Sequence, residues 1–264
     1  MTLFYDSIGE GEPVLCADGW TTFFAQGFAD LFPTVAAGRR LLAFHYRGSG
    51  NSTPVPGEEH SIAAYTRDAL DILDREGLER AHIVGIGGMG ACLAAELASV
   101  APGRVGAVVL QQPWAVPDVS LRWQLECLRI LREHSFEAYQ KAAAVLCFPP
   151  EYLAANAADV LATGWAPMRD CTEAHLGYIQ ACIDFDITGR LGAITAPVLL
   201  VSGDSTDIMT SDRLFPPFLA ELPQAETHVM AGTPHAFFVS PEQKQELDTV
   251  VGAFIARHPL AQGA

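Results

Sequence analysis

A glycine-rich run in the middle of the chain has the spacing of a dinucleotide-binding loop. Residues 83–94 read IVGIGGMGACLA, in which Gly85, Gly87 and Gly90 match the pattern G-x-G-x-x-G. Between a strand and a helix, such glycines let a pyrophosphate approach the N-terminus of the helix. The pattern therefore raises the hypothesis that this chain binds a nucleotide.

The residues that follow argue against that hypothesis. A dinucleotide site needs an acidic residue about twenty positions further on, where it binds the ribose hydroxyls. The next apolar run, GAVVLQQPW, ends in Gln111 and Gln112 and contains no carboxylate. Two predicted strands and a helix also precede the glycines, whereas the pattern normally follows the first strand of its unit. We therefore interpret the glycines as a tight strand-to-helix turn, which needs residues that tolerate a positive φ and close packing.

The composition narrows the classes of function. The 264 residues, 50% of them hydrophobic, are enough for one large domain with a sizeable core. A formal net charge of −15, from 16 Lys and Arg against 31 Asp and Glu, repels a phosphate backbone and argues against nucleic acid as a partner. The N-terminus has no signal-peptide pattern, and no apolar run approaches the roughly 20 residues of a membrane span. We expect a cytoplasmic protein that does not insert into a membrane.

The cysteines give no sign of a metal centre. The sequence has six, widely spaced and without a C-x-x-C pair: Cys16, Cys92, Cys127, Cys147, Cys171 and Cys182. We interpret them as reduced thiols rather than as disulfides or a zinc site. We expect neither a metal nor another cofactor.

Short apolar runs alternate with helical patterns, as is typical of a mostly parallel sheet covered by helices. The predicted strands are residues 13–18, 40–46, 81–86, 106–112, 196–203 and 226–232. The predicted helices are residues 62–76, 91–100, 211–221 and 241–257. In such sheets the functional groups lie just beyond the carboxyl ends of the strands, so the turns after these strands are the place to look for chemistry.

Residues 113–195 show helical patterns without clear strands. We predict a helical cap there, a lid inserted into an α/β core made of residues 1–112 and 196–264, able to exclude water from a pocket. Additional core helices without a gating role are the alternative.

Four separated stretches together resemble the α/β-hydrolase superfamily, in the order of that family and across nearly the whole chain. VLCADGW (14–20) resembles the strand and its His-Gly loop, and FHYRGSGNS (44–52) resembles the loop D-x-R-G-x-G-x-S, with His45 in place of the Asp. FDITGRLGAITAPVLLVSGDSTD (185–207) resembles the end of the cap and the strand that carries the catalytic acid. MAGTPHAFFVSPEQ (230–243) resembles the loop that carries the catalytic histidine. The resemblance implies the α/β-hydrolase fold.

This resemblance places IVGIGGMGACLA at the nucleophile elbow, which reads G-x-S-x-G in the family. The serine is missing. Counting from the strand puts its position on Gly87, with Met89 where the second glycine belongs. Aligning on the helix puts it on Gly88 and implies one inserted residue. In either register the position is vacant, without Ser, Cys or Asp.

The resemblance also implies an acid and a base. His235, in GTPHAFF, occupies the place of the general base. Asp207 is the better candidate for its orienting partner, because STDIMT resembles the family's acid loop, and Asp204 is the alternative. A carboxylate there would fix the tautomer of His235 and stabilise its protonated form. Helix capping or simple solvation is the non-catalytic interpretation of either aspartate.

Further residues are candidates for binding the substrate. The family's oxyanion hole, carried over, consists of the N–H of Trp20 and that of Gly88 or Met89. Asp18 replaces the family's histidine and either lines the pocket or bonds locally in its loop. Three tryptophans are predicted pocket residues beneath the lid, with ordinary core packing as the alternative: Trp114, Trp123 and Trp165.

Other reactive side chains are given structural interpretations. Cys16 lies within a strand and Cys92 within the elbow helix, so we expect both to be buried packing residues rather than substitutes for the serine. His45 is expected to support its loop. For His134 and His175 the sequence names no partner.

Three functions are consistent with these residues. The first is an enzyme on a small, largely apolar carbonyl compound in which His235 and Asp207 act as general acid and base without an acyl-enzyme, as in a lyase, cyclase, decarboxylase or cofactor-free oxygenase. The second is an ester or lactone hydrolase in which His235 activates water. The third is an inactive hydrolase fold that binds a ligand or a partner protein. The oligomeric state stays open, with a homodimer among the options.

Overall fold

The computed structural model describes residues 3–20, 23–54 and 57–260. In this part of the chain seven strands form one sheet: β1 (Tyr5–Ile8), β2 (Glu12–Ala17), β3 (Arg39–Phe44), β4 (Ala81–Gly85), β5 (Val105–Gln111), β6 (Val198–Gly203) and β7 (Glu226–Met230). Their order in the sheet is β1-β3-β2-β4-β5-β6-β7. β1 pairs antiparallel with β3, and all other neighbours pair in parallel. The six parallel strands therefore present their carboxyl ends at one edge.

The central strands are apolar throughout because helices cover both faces of the sheet. Every residue of β4 and β5 is buried. Leu15, Ile83 and Val108 lie side by side on β2, β4 and β5 and belong to the core on one face. The next residue along each of these strands belongs to the core on the opposite face. This alternation fixes which strand-end residues point towards each layer.

The helices of the described residues are α1 (Ala25–Leu31), α2 (Pro33–Ala36), α3 (Ile62–Arg75), α4 (Met89–Val100), α5 (Val119–His134), α6 (Phe136–Cys147), α7 (Pro150–Thr163), α8 (Thr172–Asp184), α9 (Pro216–Glu221) and α10 (Pro241–Ala256). Ser61, Asp118 and Ser135 cap α3, α5 and α6 by accepting a backbone N–H. Eleven of the twelve residues of α4 are buried, which explains why its sequence is apolar on all sides.

Four helices, α5 to α8, follow β5 and precede β6, and we refer to them as the inserted helices. Apolar residues of these helices, among them Leu125, Tyr139 and Ile179, join the core that also contains α4. Together with the loops at the carboxyl ends of the strands, they line one cavity, so they lie at that edge of the sheet. The elements agree with the helical pattern of residues 113–195, and the gating role of these helices stays a prediction.

All six predicted strands are present, with ends within two residues of those predicted. The sequence patterns did not predict β1, α1 or α2. β1 is a short edge strand whose residues are half-buried or exposed, so it lacks an apolar run. α1 and α2 have seven and four residues, too few for a clear helical period. Among the described residues, no helix has the length and apolar character that crossing a bilayer requires.

Candidate active site

The turn between β4 and α4 consists of Ile86, Gly87 and Gly88. Gly87 has φ +64° and Gly88 has φ +72°, in the left-handed region that favours glycine. The N–H of Met89 donates to the carbonyl oxygen of Gly87 at 2.8 Å, so the chain reverses in a γ-turn centred on Gly88, whose ψ is −74°. The sequence therefore folds here into the sharp strand-to-helix turn that was predicted.

The two glycines face different surroundings. Gly87 lines a cavity between the carboxyl edge of the sheet and the inserted helices, and a Cβ added to it would lie 3.1 Å from the backbone nitrogen of Gly19. A Cβ added to Gly88 would lie 2.5 Å from the indole ring of Trp114. Of the two registers considered for the missing serine, the one that assigns its position to Gly87 opens onto the cavity.

This cavity has a volume of about 560 Å³ and lies between the carboxyl edge of the sheet and the inserted helices. Its aromatic lining comes from both layers: Trp20, Phe23, Trp114, Tyr139, Phe148, Tyr152, Trp165, Phe237 and Phe238. Among the described residues, the Asp, Glu, Lys and Arg side chains that line it are Asp30, Asp159 and Lys244. Such a cavity suits a largely apolar molecule better than a highly charged one.

His235 lies in the loop between β7 and α10 and lines the cavity. Its Nδ1 is 3.0 Å from the hydroxyl of Thr210 and 3.3 Å from Oδ2 of Asp207. Its Nε2 makes no hydrogen bond to residues 3–20, 23–54 or 57–260. The side chain of Asp207 is fully buried, whereas that of His235 is 18% exposed. The structure thus brings together the predicted base and the preferred acid.

The carboxylate of Asp207 is held by several donors. Oδ1 accepts the backbone N–H groups of Met209 and Thr210, each at 2.9 Å. Oδ2 accepts the hydroxyl of Thr210 at 3.0 Å and the side-chain amide of Gln112 at 2.9 Å. Burial on its own raises the pKa of Asp207, but the charge of His235 and the hydrogen bonds from His235 and Thr210 outweigh it, and the pKa is lowered. Asp207 is therefore ionised at neutral pH.

This network assigns the tautomer of His235. Because the hydroxyl of Thr210 donates to Asp207, its oxygen is free to accept the proton carried on Nδ1 of His235. Nε2 then carries the lone pair, on a side chain that lines the cavity. A histidine in this state can remove a proton from a molecule in the cavity.

Asp204, the alternative acid, is hydrogen-bonded to the loops that follow β6 and β7. Its carboxylate accepts the N–H of Thr206 and that of Gly232, both at 2.9 Å. These hydrogen bonds, with that of Gly232 contributing most, lower the pKa of Asp204. They connect the ends of β6 and β7, and Asp204 does not contact His235.

The predicted oxyanion hole is only partly available. The N–H of Met89 is engaged by Gly87 in the γ-turn, and the N–H of Gly88 lies 3.5 Å from the carbonyl oxygen of Gln111. Trp20 lines the cavity, and its N–H has no acceptor among the described residues. Among the described residues, the N–H of Trp20 is therefore free to bind an oxyanion, whereas the N–H groups of Gly88 and Met89 already have acceptors.

The predicted pocket residues separate into two groups. Trp114 and Trp165 line the cavity, as expected. Trp123 does not: its side chain is 65% exposed and lines a different groove, of about 670 Å³, on the outside of α5 and α6. Asp18 is buried and accepts the N–H of Phe23 at 3.2 Å, so it bonds locally rather than lining the cavity. The error for Trp123 arose because sequence alone does not say which side of a helix faces the sheet.

The other reactive side chains have structural surroundings. The six cysteines are free, and burial raises the pKa of Cys16 and Cys92, so neither is an activated thiol. Nδ1 of His45 accepts the N–H of Asn51 within its loop, and the exposed His134 contacts the carbonyl oxygen of Ile130 on α5. Within the described residues no group of three or more His, Cys, Asp or Glu is arranged to hold a metal ion.

His175 belongs to a second polar cluster, within the inserted helices. Nε of Arg132 donates to Nδ1 of His175 at 3.0 Å, and Nε2 of His175 lies 3.2 Å from the hydroxyl of Tyr139. Arg132 also donates to the carbonyl oxygens of Met168 and Arg169. Burial, and then the charge of Arg132, lower the pKa of His175 to about 3. This histidine is neutral at physiological pH.

Two contacts in the site were not anticipated from the sequence. Gln112, at the end of β5, donates through one nitrogen to Asp207 and to the carbonyl oxygen of His235. The N–H of Ala236 donates to the carbonyl oxygen of Cys147 at 2.9 Å, which joins the histidine loop to the end of α6. The sequence feature that could have identified Gln112 is its position, since it is a polar residue immediately after a buried strand.

Comparison with known proteins bears on the family and the fold. The model of the alpha/beta hydrolase family matches residues 14–244. A protein of Variovorax paradoxus named "Putative carbamate hydrolase RutD" is 33% identical over 210 residues, which are 76% of this chain and 77% of that protein. One with the same name from Azorhizobium caulinodans is 32% identical over 258 residues, 93% of this chain and 92% of that protein.

The crystal structure of a hydrolase from Pseudomonas aeruginosa PA01 superposes with a TM-score of 0.80 at 24% identity, covering 96% of this chain and 93% of that one. The predicted fold is confirmed.

Proposed function

This chain belongs to the alpha/beta hydrolase family, and from that premise we propose that it hydrolyses a neutral, largely apolar carbonyl compound with water activated by His235. The observation that carries the proposal is the state of His235. Its Nδ1 is fixed by Thr210 and Asp207, and its unpartnered Nε2 belongs to a side chain that lines a mostly aromatic cavity. An enzyme accounts for this arrangement better than a ligand-binding fold, which needs neither the acid nor the tautomer.

The second support is the turn that faces the histidine loop. A serine hydrolase needs a hydroxyl at the elbow, whereas Gly87 and Gly88 supply only backbone. Gly87 lines the cavity with backbone alone, so a water molecule or the substrate can approach the turn without meeting a side chain there. We therefore assign the nucleophile to water rather than to a side chain.

The reaction then follows in two proton transfers. Nε2 of His235 accepts a proton from the water as its oxygen attacks the carbonyl carbon, and the carbonyl oxygen becomes an oxyanion. The N–H of Trp20 is the available donor to this oxyanion, and Asp207 stabilises the imidazolium. The imidazolium returns its proton to the leaving group as the tetrahedral intermediate collapses to acid and alcohol or amine.

The substrate class follows from the cavity lining and from the relatives. The two curated relatives are named as carbamate hydrolases, and esters, lactones and carbamates all present a carbonyl carbon bonded to a leaving group. The cavity of about 560 Å³ has aromatic walls and no arginine in its lining among the described residues. We propose an ester, lactone or carbamate that carries a bulky apolar group.

An oxygen-isotope experiment tests this function. Aryl and alkyl esters and lactones are incubated with the protein in H₂¹⁸O, and the acid product is examined by mass spectrometry. Carbamate turnover is followed by release of the amine, because the carbamic acid loses CO₂. We expect ¹⁸O in the product, loss of turnover in His235→Gln, and no labelling of the protein by a fluorophosphonate probe. His134→Gln, an exposed histidine on α5, is the matched control and should keep its turnover.

Each contrary outcome has a definite meaning. Turnover that His235→Gln leaves undiminished rejects the mechanism. A fluorophosphonate-labelled serine rejects the assignment of water as the nucleophile. Conversion of a substrate without solvent oxygen in the product rejects hydrolysis and supports proton abstraction by His235, as in a lyase.

A further inference from the structure

Two consecutive glutamines stand between the elbow and the acid–base pair. β5 pairs with β4, which leads into the elbow, and with β6, which leads into the loop of Asp207. Gln111, the last residue of β5, accepts the N–H of Gly87 on its side-chain oxygen at 2.7 Å. Gln112 follows it and reaches the other side of the site. Residues at the end of β5 therefore contact both the elbow and the acid–base pair.

The side-chain amide of Gln112 joins the acid to the base. Its nitrogen donates to Oδ2 of Asp207 at 2.9 Å and to the carbonyl oxygen of His235 at 2.8 Å. Both partners are acceptors, so the nitrogen must be the atom that faces them, because a reversed amide would place oxygen against oxygen. A single amide group thus holds the side chain of one loop and the backbone of another.

The backbone of Gln112 is unusual for its residue type. Its φ is +61°, and among the described residues Trp165 is the one other non-glycine residue with a positive φ. Its own N–H donates to the carbonyl oxygen of Val201 on β6 at 2.7 Å, which ends the strand pairing. A non-glycine side chain persists in this strained conformation only when its surroundings fix it, and such residues concentrate at functional sites.

We propose that Gln112 is a positioning residue for His235, fixing the base and its acid relative to each other from a third strand. This inference rests on the proposed function of His235 as the base. The imidazole is held through Asp207 and Thr210, and the peptide of His235 is held directly by Gln112. Removing the amide breaks its bonds to the Asp207 carboxylate and to the peptide of His235 at once, so the ring and the carboxylate are held less firmly relative to each other, although Thr210 still contacts Nδ1.

A variant that keeps the size of the side chain and removes its donor tests the proposal. Gln112→Met is compared with Gln180→Met, since the amide of Gln180 on α8 likewise donates to a carboxylate, that of Asp184, at 2.9 Å, outside the cavity lining. We expect Gln112→Met to lower kcat about tenfold or more, because the base is misplaced. Since Gln112 also lines the cavity, a rise in KM with unchanged kcat would assign it to substrate binding and overturn the positioning role. Gln180→Met should match the wild type.

Nitrogen NMR of the histidine side chains supplies a readout that needs no substrate. His235→Gln identifies the signals of His235 in the wild type, which should show one tautomer with the proton on Nδ1. In Gln112→Met we expect a mixture of tautomers or broadened signals, and Gln180→Met should keep the single tautomer. If Gln112→Met does not fold, Gln112→Glu replaces it, since its carboxylate has the same size and faces two acceptors.

The outcomes separate this proposal from the one it rests on. Wild-type kcat and an unchanged His235 spectrum in the Gln112 variant overturn the positioning role, while the proposed function stands if His235→Gln is inactive. A lowered kcat with an unchanged spectrum assigns Gln112 to packing and also overturns it. If His235→Gln stays active, the proposed function fails, and the tautomer measurement by itself still decides whether Gln112 fixes His235.

Discussion

His235 and His175 are each held through Nδ1 in a hydrogen-bond network, but the networks have opposite consequences. At His235 the partners are an ionised carboxylate and a hydroxyl, and the ring lines a cavity. At His175 the partner of Nδ1 is a guanidinium, which must donate, and the ring is fully buried. The first environment leaves Nε2 without a partner among the described residues, on a ring that lines the cavity, whereas the second keeps the imidazole of His175 neutral. We therefore expect the first histidine to take part in chemistry and the second to take part only in packing.

Replacing each histidine gives the largest contrast. We expect His235→Ala to lower kcat/KM at least about 100-fold, because a general base contributes that much or more. His175→Asn should keep kcat/KM at the same order of magnitude and lose thermal stability instead. Steady-state kinetics and thermal unfolding of both variants check this. Equal losses of activity would abolish the distinction between the two networks.

The arginine of the buried network should matter for stability rather than for chemistry. Arg132→Met leaves His175 and two backbone carbonyls without their donor, and we expect a loss of about 3 kcal/mol in the free energy of unfolding. Arg129→Met, on the same helix, removes only an exposed pair with Glu133 and should cost less than about 0.5 kcal/mol. Urea unfolding measures both, and similar losses would contradict the role of burial.

The buried histidine should also make stability depend on pH. Because burial and Arg132 lower the pKa of His175 from 6.5 to about 3, the unfolded chain binds a proton there in this interval and the folded chain does not. The stability present above pH 6.5 is therefore lost as the pH falls, by about 2 kcal/mol at pH 5. Urea unfolding at pH 7 and pH 5 should show a smaller difference in His175→Asn than in the wild type. His134→Asn, which alters an exposed histidine, should keep the wild-type difference.

The smallest expected effect concerns the hydroxyl between acid and base. Thr210→Val removes the oxygen that lies 3.0 Å from both Nδ1 of His235 and Oδ2 of Asp207. The imidazole keeps its 3.3 Å contact with Asp207, so we expect kcat to fall only about tenfold. Thr249→Val, on the exposed side of α10, is the matched control. Unchanged kcat in Thr210→Val would show that Asp207 alone orients the ring.

The sequence predicted those features that depend on local patterns. Apolar runs predicted all six parallel strands. Four stretches that resemble motifs of one family, in that family's order, predicted the fold. His235 and Asp207 were predicted because GTPHAFF and STDIMT resemble the family's histidine and acid loops, which follow strands at the carboxyl edge of the sheet. The sequence already favoured Asp207 over Asp204, and the structure supports that preference, since Oδ2 of Asp207 lies 3.3 Å from Nδ1 of His235 whereas Asp204 bonds to backbone N–H groups.

Features that depend on side-chain direction were not predictable. Trp114, in the loop after β5, lines the cavity, whereas Trp123, on α5, is exposed, and the residue type predicts neither direction. In the sequence, Gln111 and Gln112 stood out only because neither is the acidic residue that a dinucleotide site needs. Their contacts depend on a positive φ at Gln112, which no residue-type preference predicts for glutamine. The engaged N–H of Met89 likewise depends on the local turn geometry.

The hydrogen bond from Ala236 to Cys147 links access to reactivity. It attaches the residue beside the base to the end of α6, one of the helices that cover the cavity. Any displacement of α6 that admits a bulky molecule must break this bond or carry the histidine loop along with it. If these helices act as the predicted lid, opening it would disturb the histidine loop, so substrate entry and proton transfer would take place in different conformations.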